Sequence, residues 1–136
     1  MIKEGLFKKQ KPEWILAQHV FPSLPAGHVG FRKGMYMASA DEIYITINGK
    51  GGHAATPHLC IDPILIASQV VSGLQEIVSR KVDPLKPAVL SIGKIYSDGG
   101  ATNVIPDKVY LEGTFRAMDE NWRFEAHRMI KDFIKH

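Results

Sequence analysis

The chain has 136 residues, enough for one domain built around a single core. Apolar residues make up 45% of it and charged residues 23%, which argues against disorder, and no apolar run approaches the roughly 18 residues that a membrane span needs. The net charge of +3 is mild, and its densest cluster, Lys8, Lys9 and Lys11, is too short for a nucleic-acid arm and reads as a solvated helix end.

Residues 1–12 read as the tail of a helix that Pro12 blocks. The apolar run "EWILAQHVFP" (13–22) has the profile of a buried strand that delivers His19 near its C-terminal end. A Pro/Gly-punctuated connection, "PSLPAGHVGFRKG" (22–34), places a domain boundary between about residues 28 and 40. We therefore divide the chain into 1–30 and 31–136.

In "DEIYITIN" (41–48), Ile43, Ile45 and Ile47 alternate with Glu42, Tyr44 and Thr46, the pattern of a strand with one apolar face. A glycine loop comes next, and Asp62-Pro63 then reads as N-cap plus first helical residue. From Ile66 to Val78 the apolar residues recur at helical spacing, and Arg80 and Lys81 suit a helix C-terminus. "PAVLSIGKIYSD" (87–98) and "KVYLEGTFRA" (108–117) are two more strands; in the latter, Val109, Leu111 and Phe115 share a face opposite Tyr110, Glu112, Thr114 and Arg116. Asp119 caps a last helix whose stripe is Trp122, Ala126, Met129, Ile130, Phe133 and Ile134.

The order β-α-β-β-α predicts an α/β (α+β) domain of the split βαβ, ferredoxin-like kind. Such a plait is an antiparallel sheet with two helices on one face. Its last strand, which would pair with the first, is missing, so the chain reads as part of something larger.

The one cysteine, Cys60, excludes an intramolecular disulfide framework and, with no signal-peptide pattern, suits a reducing, cytoplasmic setting. "TINGKGGHAATPH" (46–58) places His53 and His58 in a glycine-rich loop. With Cys60 they make H-x4-H-x-C, which matches no standard zinc spacing. No Lys-Ser/Thr follows "GKGG" at a helix start, so the loop is no phosphate cradle. The strand aromatics lack the stacking signature of an RNA-binding sheet. There remain His53, Asn103 in "GGATNVIP" and Arg116 in "GTFR", all at strand ends or on a polar face. From composition alone these are a loop histidine, a turn-former and an exposed strand residue.

The ordered blocks "QHVFPSLPAG", "NGKGGHAATPH", "DP", "GGATNVIPD" and "LEGTFRAMD" resemble the amidohydrolase branch of the aminoacylase/carboxypeptidase metallopeptidases, with its N-acyl-L-amino acid amidohydrolases and hippurate hydrolases. The resemblance runs from about residue 5 onward. It implies a cytoplasmic homodimer acting on small acyl amino acids or peptides, with two divalent metal ions (zinc, manganese or similar) in a catalytic domain and an inserted lid, or dimerisation, domain. Residues 1–30 would be a catalytic-domain segment and 31–136 an incomplete lid. His19 would be a metal ligand, His53 the lid histidine reaching the partner subunit's active site, and Asn103 and Arg116 substrate contacts. The family's other ligands and acids have no counterpart here, and Cys60 does not match its ligand cysteine. Met1 would fall inside a catalytic-domain helix and His136 inside the last lid helix. The resemblance thus implies a fragment that binds no metal and is inactive by itself. The alternative is a non-catalytic dimerisation module descended from such an enzyme.

Overall fold

The computed structural model describes residues 3–8 and 10–135. The chain divides into two compact units, Met1–Lys33 and Gly34–His136.

In the first unit, no helix or strand forms among the described residues. Where the helix tail over 1–12 is expected, residues 3–8 instead form a turn, in which the Lys8 N–H donates to the Gly5 carbonyl (2.9 Å) and Gly5 takes a positive φ of 96°. Lys8 and Lys11 are therefore not a helix end, and Lys9 and Met1 lie outside the described residues. The strand expected over 13–22 does not form either: Trp14 is 90% and Leu16 96% exposed. A strand needs a neighbouring strand for its backbone groups and a surface for its side chains. This unit provides neither.

The second unit carries all the helices and strands of the described residues. Strand β1 is Asp41–Asn48, followed by the two-residue β2, Gly52–His53, and a single 3-10 turn, Pro57–Leu59. Helix α1, Pro63–Glu76, continues as a π-helical turn, Ile77–Lys81. Strands β3 (Ala88–Ser97), β4 (Val104–Ile105) and β5 (Lys108–Ala117) precede helix α2, Glu120–Lys135. His136 lies outside the described residues.

The main sheet has the order β1-β5-β3 and is antiparallel throughout. The chain thus crosses from β1 through α1 to β3 and returns to fill the gap with β5, the split βαβ connection of a ferredoxin-like plait. Both helices lie on one face. Ile45, Leu90, Leu111 and Phe115 of the sheet meet Leu74 of α1 and Trp122 and Ile130 of α2 in one buried cluster. A side chain as fully buried as Phe115 stabilises by about 1.5–3 kcal/mol relative to exposure.

Asp62 caps α1 by accepting from the Ile64 and Leu65 amides (2.8 and 3.3 Å), and Asp119 caps α2 by accepting from Trp122 (2.7 Å). The helices cross closely at Gly73, where a Cβ would collide with the Phe133 ring. Arg123 of α2 grips Asp41 with two donors, Nε (2.7 Å) and Nη2 (2.6 Å), pinning the start of β1 to the helix. That grip, with a hydrogen bond from Ser39, holds the Asp41 carboxyl below the usual carboxylate range despite the opposing effect of burial.

Strand β3 departs from simple alternation. Ile92 pairs with Gly113 but Lys94 pairs with Glu112, so Gly93 is an extra, bulged residue. The bulge re-phases the strand: Leu90 and Ile92 face the helices, and beyond it Lys94 and Tyr96 stand on the open face beside Glu112 and Tyr110.

Candidate functional site

At one end of the sheet, β2 and β4 resume the β1–β5 pairing with the register displaced by one residue, Gly52 opposite Ile105 and His53 opposite Val104. The Ala54 amide donates to the Asn103 carbonyl (2.9 Å), so His53 and Asn103, far apart in sequence, form one corner. Asp107 organises it: its carbonyl accepts from Gly49 (2.8 Å) and its Oδ1 from Gly51 (2.8 Å). Two bonds between Lys50 and Ile61 (both 2.9 Å) close the loop from the other side.

The glycines of this loop serve the chain itself. A Cβ on Gly49 would strike the Ile61 carbonyl oxygen, and one on Gly51 the Ile105 carbonyl oxygen. Close approach within one chain is thus what glycine permits here.

His53 is exposed, and its ring is oriented by the backbone: Nδ1 accepts the Ala55 amide hydrogen (3.0 Å), while its carbonyl accepts from the Thr56 amide (2.9 Å) and Oγ1 (3.1 Å). An Nδ1 that accepts cannot carry the proton of the neutral ring, so Nε2 carries it and points a donor outward. Asn103 is exposed beside it, with an amide that donates and accepts. His58 and Cys60 do not complete a metal cluster. Cys60 donates its thiol to the Thr56 carbonyl (3.7 Å), and no three His, Cys, Asp or Glu side chains among the described residues lie together as metal ligands would.

Arg116 is elsewhere. It stands near the far end of β5, exposed on the open face, opposite Val89. From Lys108 to Arg116 the strand advances by eight residues, about 27 Å at roughly 3.4 Å each. His53 and Asn103 lie beyond the Lys108 end. Within one chain the structure brings His53 and Asn103 together and keeps Arg116 apart from both.

The open face around Arg116 forms a shallow groove of about 700 Å³. Its charges are mostly paired with one another. Lys94 donates to Glu112 Oε1 (3.0 Å), as does the Tyr96 hydroxyl (3.2 Å), and Tyr96 stacks on Tyr110 with centroids 5.0 Å apart. The bond from Lys94 holds the Glu112 carboxyl below its ordinary value, and the same bond raises the Lys94 ammonium. The Arg116 guanidinium has no hydrogen-bond or ion-pair partner among the described residues.

His19, in the first unit, is exposed, and its Nδ1 lies 2.6 Å from the Val20 carbonyl. A carbonyl only accepts, so Nδ1 holds the proton and Nε2 keeps its lone pair, the form in which histidine ligates metals.

Sequence reasoning missed Asp107, whose carboxylate fixes the His53 loop, and the open-face charges Glu42, Lys94 and Glu112. The polar positions of the two alternating strands marked Glu42 and Glu112; nothing local marked Asp107, because its partner is Gly51 across the loop.

Residues 39–136 match the family of peptidase dimerisation domains. The chain is similar to the N-acetyldiaminopimelate deacetylase of Bacillus licheniformis, 46% identical over 99% of this chain and 36% of the relative. It is also similar to the enzyme of the same name from Bacillus subtilis, 40% identical over the same shares. The chain thus spans about a third of the length of these relatives. A crystal structure from methicillin-resistant Staphylococcus aureus, of a protein assigned as an aminohydrolase, superposes with a TM-score of 0.71 at 32% identity, over 76% of this chain and 27% of that one.

Proposed function

The chain belongs to the peptidase dimerisation domain family, and from that premise we propose that it is the lid and dimerisation segment of a metal-dependent homodimeric amidohydrolase that cleaves the amide bond of N-acyl amino acids. The observation that carries this reading is the His53 ring, held by the Ala55 amide so that its Nε2–H faces outward beside Asn103.

The two divalent metal ions of the family do not fit the residues of this chain, since no ligand cluster exists among those described and His19 alone stands where a ligand is implied. The exposed apolar run around His19, with Trp14 and Leu16, supports a strand that is buried only within a larger catalytic domain. The contribution of this chain lies in its own side chains. When water adds to an amide carbonyl, the oxygen becomes an oxyanion, and a donor placed at that oxygen stabilises the transition state by about 2.7–4 kcal/mol. Nε2–H of His53 is that donor, and the Asn103 amide is its neighbour. Arg116, with an unspent guanidinium, takes the α-carboxylate of the amino-acid moiety through a two-pronged contact. Because Arg116 lies at the other end of the sheet from His53, one active site would take Arg116 from one protomer and the His53–Asn103 corner from its partner.

In the full-length enzyme that carries this segment, His53→Ala is expected to lower kcat by roughly 10²–10³-fold on N-acetyl amino acids with a smaller change in KM. Unchanged kcat would mean that His53 is only a solvated loop residue. That outcome would favour the second reading, a non-catalytic dimerisation module.

A further inference from the structure

We propose that Glu42 gives this face a preference for N-acyl amino acids whose side chain ends in an ammonium group. The proposal rests on the carboxylate-anchoring role of Arg116 and adds to it the group that reads the side chain.

Of the charges that line the groove, two are left without a neutralising partner among the described residues. Lys94 and Glu112 neutralise each other (3.0 Å), and the Tyr96 hydroxyl also turns to Glu112. Asp41 is turned to Arg123 of α2. Arg116 and Glu42 remain, in the same groove. Glu42 has one partner among the described residues, the Tyr44 hydroxyl on Oε2 (2.7 Å). A phenol donor orients the carboxylate without neutralising it, and Oε1 stays free.

The sheet register fixes the spacing. Glu42 lies opposite Thr114, and Arg116 is two residues further along β5. That is one diagonal cross-strand step, about 7–8 Å between backbones and within reach of long side chains. Beside them stand two short side chains, Ala40 and Thr114, and the Thr114 hydroxyl is spent on the Asp41 carbonyl (3.0 Å). A cation and an anion so placed complement a ligand with a carboxylate at one point and an ammonium a lysine-length chain away. An apolar side chain of equal length would leave Glu42 unpaired and gain nothing from it.

The test uses this 136-residue chain and two probes with the same four-carbon side chain, Nα-acetyl-L-lysine, which carries the terminal ammonium, and Nα-acetyl-L-norleucine, which lacks it, titrated at millimolar concentration while backbone amide shifts are recorded by NMR. Acetyl-lysine is expected to bind roughly tenfold more tightly, as one charge-assisted contact warrants, and to shift the amides of Glu42, Thr114 and Arg116. Glu42→Gln should remove that tenfold difference and leave acetyl-norleucine binding unchanged. Equal binding of both probes to the native chain would overturn the role of Glu42 while leaving that of Arg116 standing. A preference that survives in Glu42→Gln would also overturn it, since the ammonium would then be read elsewhere. Shifts at Arg116 from neither probe would overturn the anchoring role, and this proposal with it.

Discussion

A mixed-dimer experiment tests the separation of Arg116 from His53 directly. The perturbation is a pair of single variants, His53→Ala and Arg116→Ala, made in the full-length enzyme that carries this segment. Along β5 the two functional ends are about 27 Å or more apart, several times the size of an acyl amino acid, so one chain cannot offer both groups to one substrate. Each active site of a symmetric dimer would then draw the histidine from one chain and the arginine from the other. Each parent homodimer lacks one of the groups in both sites; the His53→Ala parent should keep on the order of 1% of native kcat or less. In a mixed dimer both lesions fall in the same site, and the other site has a native histidine and a native arginine. Random mixing of equal amounts makes about half of the dimers mixed, each with one intact site, so activity should return to about a quarter of native. The assay is amide hydrolysis after subunit exchange, with mixed dimers counted by differential tagging. If mixed dimers form and activity stays at the level of the parents, a single chain supplies both residues to each site, and the reasoning from strand length is wrong.

The Asp41 carboxyl, held below its unfolded value first by Arg123, contributes stability that is present above about pH 4 and lost as pH falls through its folded value. Asp41→Ala should therefore cost about 1.5–3 kcal/mol in urea denaturation at pH 7 and much less at pH 2–3; an equal loss at both would refute the ion-pair account. Gly49→Ala, which drives a Cβ into the Ile61 carbonyl, should destabilise by about 1–3 kcal/mol, and an unchanged melting temperature would show that the loop yields freely. Because β1 is paired only with β5 among the described residues, its free edge should drive self-association that rises with concentration and weakens in Tyr44→Lys; a sharp monomer mass across the range would refute this.

What the sequence made legible depended on whether its signal was local. Alternation located β1 and β5 to the residue, and Asp62-Pro63 located the start of α1, because a strand face and a helix cap are both written within a few neighbours. The phase of β3 was not legible: one bulged residue at Gly93 reverses which side chains face the helices, and it is visible only in the pairing with β5. The strand expected at 13–22 failed for a different reason. Its apolar residues are real, but nothing among the described residues of its own unit covers them. His53 could be singled out by its loop, whereas the Ala54–Asn103 bond that places it in one corner with Asn103 and the outward turn of Nε2 depend on a two-residue ribbon too short to show as periodicity.

The spacing between Asn103 and Arg116 joins the fold to the proposed chemistry. Asn103 is the turn residue immediately before β4, and from there β4 and β5 carry the chain to Arg116 with a break only at Pro106–Asp107. An extended strand is a poor hinge, and here β5 is the central strand, bonded on both sides, with Leu111 and Phe115 fully buried beneath it. The segment therefore acts as a rigid spacer, and bending the lid cannot bring its ends to one substrate. If both groups serve one substrate, as proposed, a second copy running the other way must set its own His53 corner beside the first copy's Arg116. On the proposed function, dimerisation is then part of the active site's construction, and a variant that leaves every side chain of the site intact but weakens the association of protomers should lose activity in proportion to the dimers lost.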